Sequence, residues 1–145
     1  MIVIADSNLI ISALISPKGT VSKIFKSQSN IQFIAPDYLL VEVYEHWVKI
    51  SKASELKGLN LIKELDYLKS RILFIGLNEI PKVYRLEAYE IVKDIDVDDV
   101  AFVALNRYKK HKIWTSDKPL KDGLAKKGYN ICISTAELKL KLYKK

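Results

Sequence analysis

Short apolar runs of β-type composition alternate with longer segments of helical period along the whole chain, and few folds accommodate that pattern. Residues 1–5 (MIVIA) form the first run, which ends at Asp6. Helical spacing follows over 7–15 and stops at the turn signal Ser16-Pro17-Lys18-Gly19. Thr20 can cap a short helix reaching Ser27, and residues 31–35 (IQFIA) alternate as a second strand. Pro36 suits the first position of a helix, where its missing N–H costs no hydrogen bond. That helix is expected over 36–53, with Leu39, Leu40, Val43, Trp47 and Ile50 as its buried stripe. An amphipathic helix over 59–68, a strand over 72–75 (ILFI) and a helix over 83–92 come next. Residues 100–105 (VAFVAL) are apolar all round, which predicts a helix buried in the centre of the fold. Residues 112–115 (KIWT) and 130–133 read as the last strands. A helix over 118–127, ended by Gly128, lies between them, and a basic helix over 135–143 follows.

Strands that alternate with helices through short connections build right-handed β-α-β units. The expectation is therefore an α/β fold of three layers, α/β/α, around a mostly parallel sheet of about five strands. The length suits one domain covering residues 1–145.

No apolar stretch is long enough to span a bilayer, and Asp6 breaks the N-terminal run, which also lacks the basic start of a signal peptide. No membrane partner is expected. The single cysteine, Cys132, cannot form an internal disulfide and reads as a small buried hydrophobe. A cytoplasmic protein is the expectation. The formal charge is +7, from 24 Lys and Arg against 17 Asp and Glu. Such an excess draws in polyanions, so nucleic acid is the leading partner class.

The position of the acids says more than their number. In an open parallel sheet, ligands bind beyond the carboxyl ends of the strands. Asp6 ends the first strand and Asp117 stands two residues past Thr115, so both belong to that edge. Each could also serve as a helix N-cap, a role that Asp fills well. Asp94, Asp96, Asp98 and Asp99 crowd the chain before the buried helix, where a negative charge favours the helix N-terminus but the acids repel one another. A hard divalent cation would relieve that repulsion. On the helix after the second strand, Glu45 falls opposite the apolar stripe and into solvent. Glu42 falls on the shoulder between core and water, within reach of a cleft at the sheet edge.

Carboxylates of this kind hold Mg²⁺ or Mn²⁺ and leave positions open for water and a phosphate oxygen. A cation held so lowers the pKa of water and neutralises charge on a phosphoryl group, and no protein nucleophile is then needed. The sequence has no Gly-rich phosphate loop, no nucleophile elbow and no cysteine pair, and His46 and His111 lie far apart. A phosphoacceptor domain would need an Asp directly after a central strand, whereas Gly76-Leu77-Asn78 follows residues 72–75.

Four blocks in order carry a resemblance: Ile4-Ala5-Asp6-Ser7-Asn8, residues 36–42 (PDYLLVE), residues 96–105 (DVDDVAFVAL) and residues 113–120 (IWTSDKPL). Together they resemble the PIN domain, the fold of VapC-like toxin ribonucleases and of several RNA-processing nucleases. The resemblance implies an acidic quartet of Asp6, Glu42, Asp99 and Asp117. Asp99 is matched because the family's third acid directly precedes the apolar central helix, and Asp96 is auxiliary. Asn8 matches the polar position that orients the first carboxylate, and Thr115 or Ser116 matches the hydroxyl before the last.

The implied activity is Mg²⁺- or Mn²⁺-dependent endonucleolytic cleavage of single-stranded RNA. Asp6, Asp99 and Asp117 would be metal ligands, with Glu42 binding through water or positioning the attacking water. Lys112, Lys118 and Lys121 are candidate phosphate contacts, within a basic surface that includes Lys109, Lys110, Lys126 and Lys127. The implied partners are RNA, a second copy in a homodimer, and a small antitoxin protein if the chain is a toxin. RNA processing is the other enzymatic role. A catalytically inactive PIN-like scaffold that binds RNA or protein is the competing one. The basic, Tyr-containing last helix departs from the family pattern.

Overall fold

A computed structural model describes residues 1–143 of the chain. Strand β1 (Ile2–Ala5) leads into α1 (Ser7–Ile15) and α2 (Thr20–Lys26). Strand β2 (Gln32–Pro36) is followed by α3 (Tyr38–Glu45), α4 (Trp47–Ala53) and α5 (Leu59–Ser70). After β3 (Ile72–Ile75) come α6 (Lys82–Val92) and α7 (Val100–Lys109). The chain then runs through β4 (Ile113–Trp114), α8 (Lys118–Lys126), β5 (Cys132–Ile133) and α9 (Thr135–Tyr143). Single 3₁₀ turns at Leu77–Glu79 and Val97–Asp99 precede α6 and α7.

The five strands form one sheet in the order β3-β2-β1-β4-β5, and every neighbouring pair is parallel. All the carboxyl ends therefore lie at one edge. From β1 the chain first builds outward through β2 and β3, then crosses to the other side for β4 and β5. The order reverses between β1 and β4, which is where an open α/β sheet leaves its crevice.

Helices flank the sheet and complete the three-layer α/β/α architecture. Helix α1 packs against α2, α3, α4 and α5, whereas α7 packs on α6 and lies across β1, β2 and β4. Six consecutive residues of α7, Ala101 to Asn106, are buried: the first five as their apolar composition demands, and Asn106 with its amide donating to His111 O at 2.7 Å. Beneath the crevice, Phe25, Phe33 and Trp114 meet in a tilted aromatic cluster with centroids 4.9 to 5.7 Å apart. Trp114 is fully buried, and its indole N–H donates to Thr135 Oγ1 at 3.0 Å. This packing fixes β4, and with it Thr115, against the rest of the sheet.

Two local expectations need correction. Pro36 is the last residue of β2, paired with Ile75, and does not begin a helix. The Asp37 N–H donates to Ile75 O on the β3 side, so by alternation Pro36 nitrogen faces the end of β1, where the β1–β2 ladder has stopped at Ile4 and Ile34 and proline is tolerated. The helix expected over 36–53 is in fact two helices, broken at His46. There His46 N–H is shared between the carbonyls of Glu42 and Val43, and the imidazole Nδ1 lies 2.8 Å from Glu42 O. A smaller adjustment concerns Thr20, the first residue of α2, with Gly19 in the cap position before it.

Candidate metal centre

Asp6 leaves β1 at the crevice, held there by its N–H bond to Trp114 O at 3.1 Å. It occupies the N-cap position of α1 with extended backbone, yet its side chain makes no capping bond. The carboxylate is instead turned into the crevice, only 4% exposed. Its Oδ2 accepts from Thr115 Oγ1 at 2.7 Å, and its Oδ1 lies 3.4 Å from Ser7 Oγ. The same Ser7 hydroxyl donates to Glu42 Oε1 at 3.0 Å, which ties α3 to the start of α1. Glu42 stands half-buried on the shoulder of α3, and Glu45 is exposed.

Asp117 combines two roles. Its Oδ1 caps α8 by accepting from Leu120 N–H at 3.1 Å, so the ordinary cap function applies here. Its own N–H donates to Thr115 Oγ1 at 3.0 Å. Asp99, at the head of α7, makes no capping bond, and its buried Oδ2 has no hydrogen-bond partner.

These four acids feel one another. Burial pushes the Asp99 carboxyl up to about 8, and the charges of Asp6, Asp96, Asp117 and Glu42 push in the same direction. Burial likewise lifts Glu42 to about 7, opposed by the Ser7 hydrogen bond and reinforced by Asp6. Asp6 is raised by burial and by Asp117, against the lowering effect of the Thr115 hydroxyl and the backbone N–H groups of Ser7 and Asn8. Buried carboxylates without a nearby cation stay protonated until the pH is high, the usual result of desolvation plus like charge.

The donor set fits a hard divalent cation. It consists of carboxylate oxygens alone, with one buried oxygen unpartnered and an excess of negative charge at the sheet edge. Among the described residues, no three His, Cys, Asp or Glu side chains are gathered closely enough to ligate one ion as they stand. Mg²⁺ is compatible with such spacing, because it keeps several waters and uses one or two carboxylates.

The remaining expected residues scatter. Asn8 is exposed, and the hydroxyl that bridges two acids belongs to Ser7, a residue with no role assigned from the sequence. Only its place in the first turn after Asp6 hinted at this. Thr115, 2% exposed, is the hydroxyl that meets Asp6, while Ser116 is exposed. Asp96 caps the 3₁₀ turn by accepting from Asp98 N–H at 3.0 Å and adds to the field at Asp99. Lys118 and Lys121 lie on the first turn of α8, next to Asp117, and Lys121 is 3.5 Å from Glu137. Lys112 precedes β4 and so sits at the edge opposite Asp117. Lys127 is engaged with Asp94 and with Ile91 O.

A family model described as the PIN domain matches residues 4–142. The chain belongs to the PIN-domain family. PIN domains are in general nucleases, and in general they use divalent metals. No curated protein matches this PIN domain. Among solved structures, it is similar to a chain in the crystal structure of VapBC2 from Rickettsia felis bound to a DNA fragment from their promoter. The TM-score is 0.65 at 16% identity, covering 92% of this chain and 97% of the other. At that identity the likeness is one of fold. Among the described residues, no helix is long and apolar enough to cross a membrane.

Proposed function

We propose that residues 1–145 form one nuclease domain that cleaves single-stranded RNA endonucleolytically with Mg²⁺ or Mn²⁺. The observation that carries this is the buried, unpartnered carboxylate of Asp99, raised to about 8 by burial and then by Asp6, Asp96, Asp117 and Glu42. An arrangement so costly to the folded state without a cation is characteristic of a functional site. Asp6, Asp99 and Asp117 would hold the cation, and Glu42 would contact it through water or orient the attacking water. When bound, the cation supplies a water of lowered pKa and neutralises charge developing on the phosphoryl oxygens. Thr115 and Ser7 keep Asp6 and Glu42 in place and favour their charged forms. Lys118 and Lys121 are set to receive the phosphates that flank the scissile one. The test is cleavage of end-labelled RNA with Mn²⁺, with and without EDTA, by wild type and Asp6→Asn. EDTA-sensitive cleavage by wild type alone is expected. No cleavage by either protein would favour a binding scaffold.

The cellular role we propose is that of a cytoplasmic toxin, acting as a homodimer and held by a small antitoxin; what supports it is membership of the PIN-domain family, with a fold shared with a VapBC2 chain. Induced expression in a bacterial host should arrest growth for wild type and not for Asp99→Asn. A short upstream reading frame for a DNA-binding protein should accompany the gene. Growth unaffected by wild type would leave RNA processing as the role.

A further inference from the structure

Beside the acids lies a cleft of about 320 Å³ lined by Tyr38, Leu77, Val97, Asp98, Val100 and Ala101. Tyr38 begins α3 one turn before Glu42, on the same face of the helix, and Val97 and Asp98 directly precede Asp99. The cleft therefore adjoins the candidate metal centre through the residues that flank Asp99 and through Tyr38. Leu77 is 41% and Val97 54% exposed, so two large apolar side chains at its rim contribute little to the core. Such a volume is at the small end of ligand pockets. It suits one flat group better than a helix or a strand.

The charge around it narrows the occupant. Asp98 stands on the rim, and the charges of Asp98, Glu42, Glu45 and Asp96 all reach the Tyr38 hydroxyl. A phosphate would be repelled there. A planar apolar ring whose edge carries N–H donors would be welcome, because a carboxylate accepts from an exocyclic amino group. Single-stranded RNA is recognised by splaying out such rings and stacking them on aromatic side chains. Resting on the nuclease reading above, we propose that this cleft seats one unstacked, amino-bearing nucleobase from the nucleotide next to the phosphate held at the carboxylates.

The experiment uses labelled oligoribonucleotides of A, C or U, and versions with a single abasic nucleotide moved along the strand. Affinity is read by anisotropy in Ca²⁺ and cleavage in Mn²⁺. Wild type should prefer A and C strands to U, and one abasic position should weaken binding about tenfold, as loss of a stacked base does. The double variant Leu77→Ala/Val97→Ala alters only exposed side chains and should keep the wild-type Tm. It should bind the intact strand no better than the abasic one. Affinity indifferent to base and to abasic position, unchanged discrimination in the double variant, or no binding of any strand would each overturn the proposal; indifference would assign the cleft to a protein segment. A strand bound with the expected base dependence but left uncut would instead sink the nuclease reading and spare the cleft.

Discussion

Thr115 Oγ1 donates to Asp6 Oδ2 at 2.7 Å across 109 residues of chain, and the same oxygen accepts the Asp117 N–H at 3.0 Å. One buried hydroxyl thus sets the orientation of the first acid and the turn that carries the last. Removing it with Thr115→Val keeps the volume and leaves Asp6 without its strongest stabilising bond. Groups that orient metal ligands typically matter about 10- to 100-fold in metal affinity. The expected result is a Mn²⁺ affinity lower by that factor, measured by calorimetry, with Thr115→Ser close to wild type. Wild-type affinity in the valine variant would reduce Thr115 to a turn residue.

The raised carboxyls give the metal-free protein a distinctive pH profile. In the unfolded chain, Asp99 and Glu42 lose their protons near their ordinary values of 3.8 and 4.5. Folded, they hold them to about 8 and about 7. Over that window the unfolded state binds fewer protons, so stability falls as pH rises. The benefit is complete below the unfolded values and gone once the pH passes the folded ones. In EDTA, Tm should therefore drop steadily between pH 5 and pH 8, and Asp99→Asn should flatten the decline. A wild-type Tm that rose across this range would contradict the burial of these acids.

Divalent cation should reverse that loss. Binding to the folded state alone stabilises by about 2.7 kcal/mol at a hundredfold excess over Kd. For a chain of this length that is on the order of 10 °C in Tm. The Mn²⁺-induced shift should grow with pH toward 8, because binding displaces the retained protons. Asp99→Asn should show little shift, and above pH 8 it should melt higher than wild type in EDTA because a buried charge is gone. Equal Mn²⁺ shifts in the two proteins would remove Asp99 from the site.

Much of this was legible in the chain because the signals were local. The apolar run ending at Asp6 and the turn signal at residues 16–19 left one placement for β1 and α1. The all-apolar residues 100–105 could only be a buried helix. What escaped was set by tertiary contact. His46 offers no Gly or Pro to mark a break, and the stripe from Leu39 to Ile50 runs through it unbroken. Yet α4 must turn to pack on α1 while α3 keeps Glu42 at the crevice. Ser7 was invisible as a bridging group for a similar reason: its partner Glu42 lies 35 residues away, and hydroxyls near acids are common. Asp6 and Asp117 looked equivalent as strand-end acids, but only Asp117 caps its helix.

Gly123 offers a test of how the acid segment is held. It sits inside α8, where glycine costs about 1 kcal/mol relative to alanine. A Cβ there would lie 2.9 Å from Ile95 Cδ1, 3.0 Å from Cγ1 and 3.2 Å from Cγ2. Ile95 directly follows Asp94, which pairs with Lys127 at the end of the same helix. Helix α8 therefore seats the segment leading to Asp96 and Asp99 through a glycine notch and an ion pair, while its own first turn is capped by Asp117. Ile95 is branched at Cβ and close along its whole length, so it has little room to yield. Overpacking of this kind costs about 1–3 kcal/mol, which outweighs the gain in helix propensity. Gly123→Ala should lower Tm by a few degrees and reduce both Mn²⁺ affinity and RNA cleavage. Adding Ile95→Ala should restore affinity by vacating the notch. If Gly123→Ala instead raised Tm and left Mn²⁺ affinity unchanged, the notch would have no part in positioning Asp99.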